Sequence, residues 1–154
     1  MESTENKYEF TEETIEVSGK VLHRIKAIRD FGGIKAGTLG GFIEKEENLS
    51  HEGNCWVFGS AKVYDNAKVC GNAKVFGDAE IKGKTDYIVF KNWWSSGRYF
   101  TWTRSNNMWK VGCFYGTGEE LIQKAYKDSE ISGREYERVV RYVESILADE
   151  KKRE

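Results

Sequence analysis

The seven residues Arg98 to Arg104 carry side chains suited to holding an anion together with a ring. In an extended strand successive side chains point to opposite faces. Arg98, Phe100, Trp102 and Arg104 therefore share one face, and Tyr99, Thr101 and Thr103 the other. Guanidinium forks take phosphate or carboxylate in a two-pronged grip, and aromatic rings stack on a base. Trp109 and Lys110 follow shortly after, and Trp93 and Trp94 come just before. Arg98, Phe100, Trp102, Arg104, Trp109 and Lys110 make up the candidate ligand-binding set, and a small nucleotide is the ligand class they suggest. A second arrangement is open to the same residues. Phe100 and Trp102 would pack beneath helices, with the arginines at the rim paired to Glu119, Glu120 or Glu135.

Other reactive side chains are sparse. The chain has two histidines, His23 and His51, far apart and in no metal-ligand spacing. His23 is expected on a strand as a half-buried structural residue, and His51 at a solvated corner. The three cysteines, Cys55, Cys70 and Cys113, form no CxxC pair; Cys113 is expected to be buried in a strand. No P-loop occurs, and no GxGxxG follows a strand. No cofactor or metal is called for, and no catalytic residue is assigned.

The elements that must position these residues can be read from pattern. Tyr8–Val17 and Lys20–Phe31 alternate as two strands around a Ser18-Gly19 hairpin turn. Gly32-Gly33 and Gly37 to Gly41 are expected as a loop. Asp86–Trp94, Arg98–Arg104 and Met108–Tyr115 form a three-stranded β-meander with turns at Ser95-Ser96-Gly97 and Ser105-Asn106-Asn107. Thr117 with Glu120 is a capping box that starts a helix running to about Lys127. Ser132 with Glu135 repeats the device ahead of a second helix, which buries Tyr136, Val139, Val140, Val143, Ile146 and Leu147. Asp149–Glu154 are expected to fray.

Between these flanks the chain repeats itself every six residues: GNCWVF, GSAKVY, DNAKVC, GNAKVF, GDAEIK, GKTDYI. The first position is Gly or Asp, the third is small, and the fifth is β-branched until Tyr87. A fixed short period means one structural unit stacked on itself. Gly, Asn and Asp supply the backbone freedom of a corner in each unit. Ile43 and Leu49 carry a partial echo upstream.

An aliphatic residue followed four places later by a small one, as in Val57/Ala61, Val63/Ala67, Val69/Ala73 and Val75/Ala79, resembles the hexapeptide-repeat proteins. That resemblance implies a left-handed parallel β-helix of two to three coils in which residues eighteen apart stack. The fold class expected is mostly β: an N-terminal hairpin and cap over 1–36, the β-helix over 37–88, and a meander with two α-helices over 89–154. Stacking would set Lys62 against Glu80, Lys68 against Asp86, Trp56 over Lys74 and Phe58 on Phe76. An outer stripe of Trp56, Phe58, Tyr64 and Phe76, together with open β-helix ends, is the candidate interface of a homo-oligomer, a trimer or a dimer. The family includes acyltransferases, which use a histidine general base; His51 is the residue here that would serve. It also includes zinc-dependent carbonic anhydrases, whose three histidines per site this chain lacks.

The combination of LHRIKAIRDFGGIKAGTLGGFIEKEENLSHEGNCWVFG, the repeats, and TWTRSNNMWKVGCFYGTGEEL is similar to small proteins of phages and prophages of Gram-positive bacteria. That resemblance implies the cytoplasm of a bacterial host. The absence of a signal-peptide pattern in MESTENKYEF agrees with it, and no apolar stretch is long enough for a membrane span. A net charge of −1 provides no global field for nucleic acid. Three functions follow as expectations. The first is a non-enzymatic binding protein that sequesters a signal nucleotide or blocks a host protein as a counter-defence. The second is an acyltransferase-like enzyme using His51, and the third a structural oligomerisation module.

Overall fold

The computed structural model describes residues 6–153. Strands β1 (Tyr8–Val17) and β2 (Lys20–Ala27) pair antiparallel across Ser18-Gly19, where φ is 52° and 80°. Two positive φ values in a two-residue connection give the turn whose twist matches that of its strands. The register of β1 shifts between Phe10 and Thr14, an irregularity that interrupts an otherwise long free edge. The second strand ends at Ala27, short of the expected Phe31. The segment expected as a glycine loop contains a strand, β3 (Leu39–Ile43). Its glycines permit close approach: a Cβ on Gly41 would lie 2.5 Å from the carbonyl oxygen of Ala61.

The repeats contribute four two-residue strands: β4 (Trp56–Val57), β5 (Lys62–Val63), β6 (Lys74–Val75) and β7 (Glu80–Ile81). Trp56 stands opposite Lys74, Val57 opposite Val75, Lys62 opposite Glu80 and Val63 opposite Ile81, all in parallel register eighteen residues apart. Farther upstream the step is twenty, with Ile43 opposite Val63 and Leu49 bridged to Val69. A short 3₁₀ turn, Glu46–Asn48, lies within this longer step. The buried Asn48 organises it. Its Oδ1 accepts the Glu44 and Lys45 amides, and its Nδ2 donates to the carbonyls of Ala67 and Asp65.

The expected left-handed parallel β-helix is corrected by this topology. The sheets are open and largely mixed or antiparallel. One has five strands in the order β1-β2-β3-β5-β7, antiparallel through β3 and parallel beyond it; β4 and β6 form a separate parallel pair. The physical reason lies in strand length. Six-residue units with a corner each leave two residues for pairing, whereas the flanking segments supply strands of up to ten. The stacked charge pairs do not form either: the Lys62 ammonium donates to the Ser60 carbonyl, and Glu80 accepts from the Tyr64 hydroxyl. Asp86 accepts the Lys82 and Gly83 amides in place of Lys68. The interior of the stack is apolar, with Val57, Val63, Val69, Val75, Ile81 and the alanines at 61, 67, 73 and 79 all buried.

After the repeats come β8 (Tyr87–Lys91), β9 (Tyr99–Thr103), β10 (Met108–Val111) and β11 (Phe114–Gly116), an antiparallel sheet in the order β11-β10-β9-β8. The third expected strand is thus two strands, folded back at Gly112-Cys113. Helices α1 (Gly118–Asp128) and α2 (Glu130–Lys152) cover one face. Thr117 caps α1 with Glu120 as the sequence suggests, but α2 begins three residues earlier than expected, capped by Ser129. Its last turn is helical to Lys152 rather than frayed, with Glu150 paired to Arg104; Glu154 lies outside the described residues. The other face of the sheet lies on the repeats. Tyr87 and Val89 pack into the repeat core. The Thr101 hydroxyl accepts the Lys74 amide at 3.0 Å, the Ser105 hydroxyl accepts the Glu80 amide at 2.8 Å, and the Tyr87 hydroxyl donates to the Lys68 carbonyl at 2.8 Å. No helix among the described residues is long and apolar enough to cross a membrane.

The corner glycines differ in what surrounds them, which gives a test of the stacking. Gly53 (φ +72°) and Gly59 (φ +56°) both occupy the left-handed region, but a Cβ on Gly53 would meet the Gly71 oxygen at 2.9 Å, whereas Gly59 faces open space. Gly59→Ala should cost about 1 kcal/mol from backbone strain alone, and Gly53→Ala about 2–3 kcal/mol. Urea denaturation of the two variants checks the order.

Candidate functional site

The structure separates the six candidate ligand-binding residues. Phe100, Trp102 and Trp109 lie in the core beneath α1 and α2, at most 1% exposed. They pack with Leu121, Ile122, Tyr136 and Val140, which leaves no ring on that strand face open to a base. The Trp102 indole donates to Asn107. Arg104 pairs with Glu150, donates from Nε to the Thr85 carbonyl at 2.9 Å, and lies over Trp102. Its partners are Glu150 and Asp86 rather than Glu119, Glu120 or Glu135. Lys110 is on the opposite face of the sheet, its ammonium 4.3 Å from the centre of the Phe76 ring, and burial lowers its pKa.

Arg98 has a different setting. It is exposed, has no carboxylate partner among the described residues, and lies across Gly112, where a Cβ would come within 2.6 Å of its Nη1. It lines a cleft of about 360 Å³ between the meander and the helices. The cleft's polar lining includes Arg98, Ser96, Lys124, Asp128, Ser132 and Tyr136, with Asn92 and Ser95 beside them, and its apolar lining includes Val111, Phe114, Leu121 and Ala125. The volume falls at the low end of the range for small-molecule sites. One wall is held by Asn92, which is 3% exposed. Its Oδ1 accepts the Trp94 and Ser95 amides and its Nδ2 donates to the Tyr136 hydroxyl, fixing the Asn92–Arg98 turn. Burial pushes the Tyr136 hydroxyl above its ordinary pKa, so it stays protonated as a donor. Lys124 is paired with Asp128 at 3.5 Å, which leaves Arg98 as the unneutralised cation of the cleft. An anionic group at Arg98 with a small apolar or planar body behind it is what this lining accommodates.

His51 is not the solvated corner residue expected. Its ring stacks on Tyr8 at 4.1 Å, its Nδ1 accepts the Lys7 amide at 2.9 Å, and its Nε2 faces Glu46 Oε1 at 3.1 Å. An Nδ1 that accepts an amide proton assigns the ring hydrogen to Nε2, and Nε2 then donates to Glu46. Both nitrogens are occupied, so neither is poised to take a proton from a substrate. Tyr8 completes the cluster, donating at 2.6 Å to the Leu49 carbonyl. Sequence reading missed this group because Lys7 and Tyr8 reach partners more than forty positions away, at His51 and Leu49. His23 is half-buried and stacked on Phe10.

Of the interface candidates, Trp56 and Tyr64 are buried within the chain, Trp56 against Tyr8 and Phe31, Tyr64 against Leu22 and Phe42. Phe58 and Phe76 are half-buried, with ring centres 5.1 Å apart and planes tilted by 51° rather than stacked, and Tyr115 meets Phe76 at 5.0 Å, tilted by 54°. Cys113 is exposed at the β10–β11 turn rather than buried in a strand; Cys70 is exposed and Cys55 buried. No cluster of three His, Cys, Asp or Glu side chains suited to a metal occurs among the described residues.

No family model matches the chain. A stretch of 38 residues is 50% identical to the uncharacterized acetyltransferase YdcK of Escherichia coli. The match takes in 25% of this chain and spans 12% of the length of that relative. The similarity lies toward a protein named as an acetyltransferase, and a phage origin is not part of it.

These placements predict different costs for three substitutions. Arg98→Ala should leave stability within about 0.5 kcal/mol, because Arg98 packs at the surface without a partner. Arg104→Ala and His51→Ala should each lose about 1–3 kcal/mol, because each leaves part-buried hydrogen-bonding groups unpaired. Chemical denaturation of the three variants distinguishes the site residue from the structural ones.

Proposed function

We propose that this protein is a binding module whose small anionic ligand sits in the cleft between the meander and the two helices. The observation that carries this reading is the unpaired Arg98 guanidinium at a preformed cleft lined with hydroxyl donors and an apolar wall. A nucleoside monophosphate or a fragment of a larger nucleotide has suitable chemistry: phosphate on Arg98, hydroxyl contacts to Ser96, Ser132 and Tyr136, and a base against Phe114 and Leu121. The base would rest on these residues and not on Phe100, Trp102 or Trp109. Sequestering such a nucleotide as a counter-defence is the biological form suggested by the resemblance to phage proteins, and rests on that resemblance alone.

A second reading, acyltransferase-like activity, is favoured by the Escherichia coli relative's name. Against it stands the double engagement of His51. The two readings separate in one set of titrations of linear and cyclic nucleoside monophosphates, ADP-ribose and acetyl-CoA, followed by thermal shift and calorimetry. The binding reading predicts a nucleotide-dependent rise in melting temperature that Arg98→Ala weakens by about tenfold or more in affinity, the worth of a charge-assisted hydrogen bond. Absence of any nucleotide effect would contradict it. Acetyl-CoA binding with acetyl transfer to an amine, abolished in a folded His51→Ala variant, would establish the second reading in its place.

A further inference from the structure

At the N-terminal end of the repeat stack an amine and a thiol are buried side by side. Lys7 and Cys55 are both 0% exposed, and Lys7 Nζ lies 3.4 Å from Cys55 Sγ. Among the described residues the other neighbours of the amine are the carbonyls of Cys55 (2.8 Å) and Gly53 (3.4 Å) and the ring of Phe31, none of them a carboxylate. Arg29 shares the Phe31 ring, and its positive charge disfavours a second cation beside it. Burial lowers the Lys7 pKa and raises that of the Cys55 thiol, so the pair tends toward neutral amine and neutral thiol. A neutral amine has a free lone pair, and among the described residues no buried acid competes for it.

We propose that Lys7 and Cys55 are an oxidative cross-linking site, in which a peroxide joins Lys7 Nζ to Cys55 Sγ as a sulfenamide. In the first step the Lys7 amine, 3.4 Å from Sγ, takes the thiol proton as sulfur attacks one peroxide oxygen; the O–O bond breaks, the leaving hydroxide recovers that proton as one water, and Cys55 becomes a sulfenic acid beside a neutral amine. In the second step the Lys7 amine attacks that sulfur, the S–O bond breaks, and the hydroxyl leaves with an amine proton as a second water. Sulfur is oxidised by two electrons and hydrogen peroxide is reduced by two. The net change in the protein is the loss of two hydrogens. Condensation of a sulfenic acid with a nearby nitrogen is established cysteine chemistry and is reversed by thiols. Peroxide is small and uncharged, so local opening at the start of β1 is enough to admit it. The bond would tie β1 to the repeats across 48 positions of sequence.

The test uses the full chain with Cys70→Ser and Cys113→Ser, exposed positions whose replacement leaves Cys55 as the only thiol. Treatment with hydrogen peroxide, then intact mass and peptide mapping, should show a species two hydrogens lighter. It should contain a linked Lys7–Cys55 peptide pair, have a raised melting temperature, and return to the starting mass with dithiothreitol. Adding Lys7→Met should abolish the lighter species. Recovery of Cys55 in the Lys7-containing chain only as free thiol, sulfinic acid or sulfonic acid would overturn the proposal, and that measurement does not depend on whether the Lys7→Met chain folds.

Discussion

In the repeat segment β5 pairs with β3 and β7, and β4 pairs with β6, so β6 and β7 are left with amides and carbonyls that face no further repeat. A buried backbone group without a partner costs as much as a lost hydrogen bond, and an exposed edge invites pairing with another chain. The meander meets this constraint with side chains. Thr101, Ser105 and Tyr87 each place one hydroxyl on a different stretch of the last repeats, at Lys74, Glu80 and Lys68. Much of the C-terminal region follows from that docking. Because Thr101 must face the repeats, Phe100 and Trp102 face away, and α1 and α2 are needed to cover them. The covering helices in turn create the cleft beside Arg98.

The opposite end is closed by different chemistry. Strand β3 pairs antiparallel with the hairpin and parallel with β5, so one sheet runs from the first strand into the repeats. Tyr8, His51 and Lys7 fill the space beside it with stacking and hydrogen bonds rather than with ladder pairing. Arg29 Nε and Trp56 Nε1 are buried in this region without a hydrogen-bond partner among the described residues.

Local rules were legible in the sequence where a few adjacent residues decide the outcome. Ser18-Gly19 makes the turn, Thr117 and Glu120 make the cap, and the six-residue period sets the stacking of residues eighteen apart. What remained illegible depends on distant partners. The repeats alone suggest a parallel β-helix, but two-residue strands cannot dominate a sheet once a ten-residue strand joins it. Alternation correctly put Phe100 and Trp102 on one face; it could not say whether that face met ligand or helix, since both bury aromatic rings. Trp56 looks outward by position in its unit, yet Tyr8 and Phe31 arrive from the N-terminal segment and cover it. Of the proposed binding face, Arg98 alone lines the cleft, and nothing in its neighbours distinguishes it from Arg104 until the helix ending at Lys152 supplies Glu150 to one and not to the other.

The claim that side-chain hydroxyls cap the repeat stack is tested most directly by amide hydrogen exchange at Lys74 and Glu80 in Thr101→Val and Ser105→Ala. Thr101→Val keeps the shape of the side chain and removes the acceptor, so the Lys74 amide should exchange at least about tenfold faster while Glu80 is unchanged, with a stability loss of about 1–2 kcal/mol. Ser105→Ala should show the reverse pattern. Unchanged protection of both amides in both variants would mean that the repeats do not depend on the meander for their last hydrogen bonds.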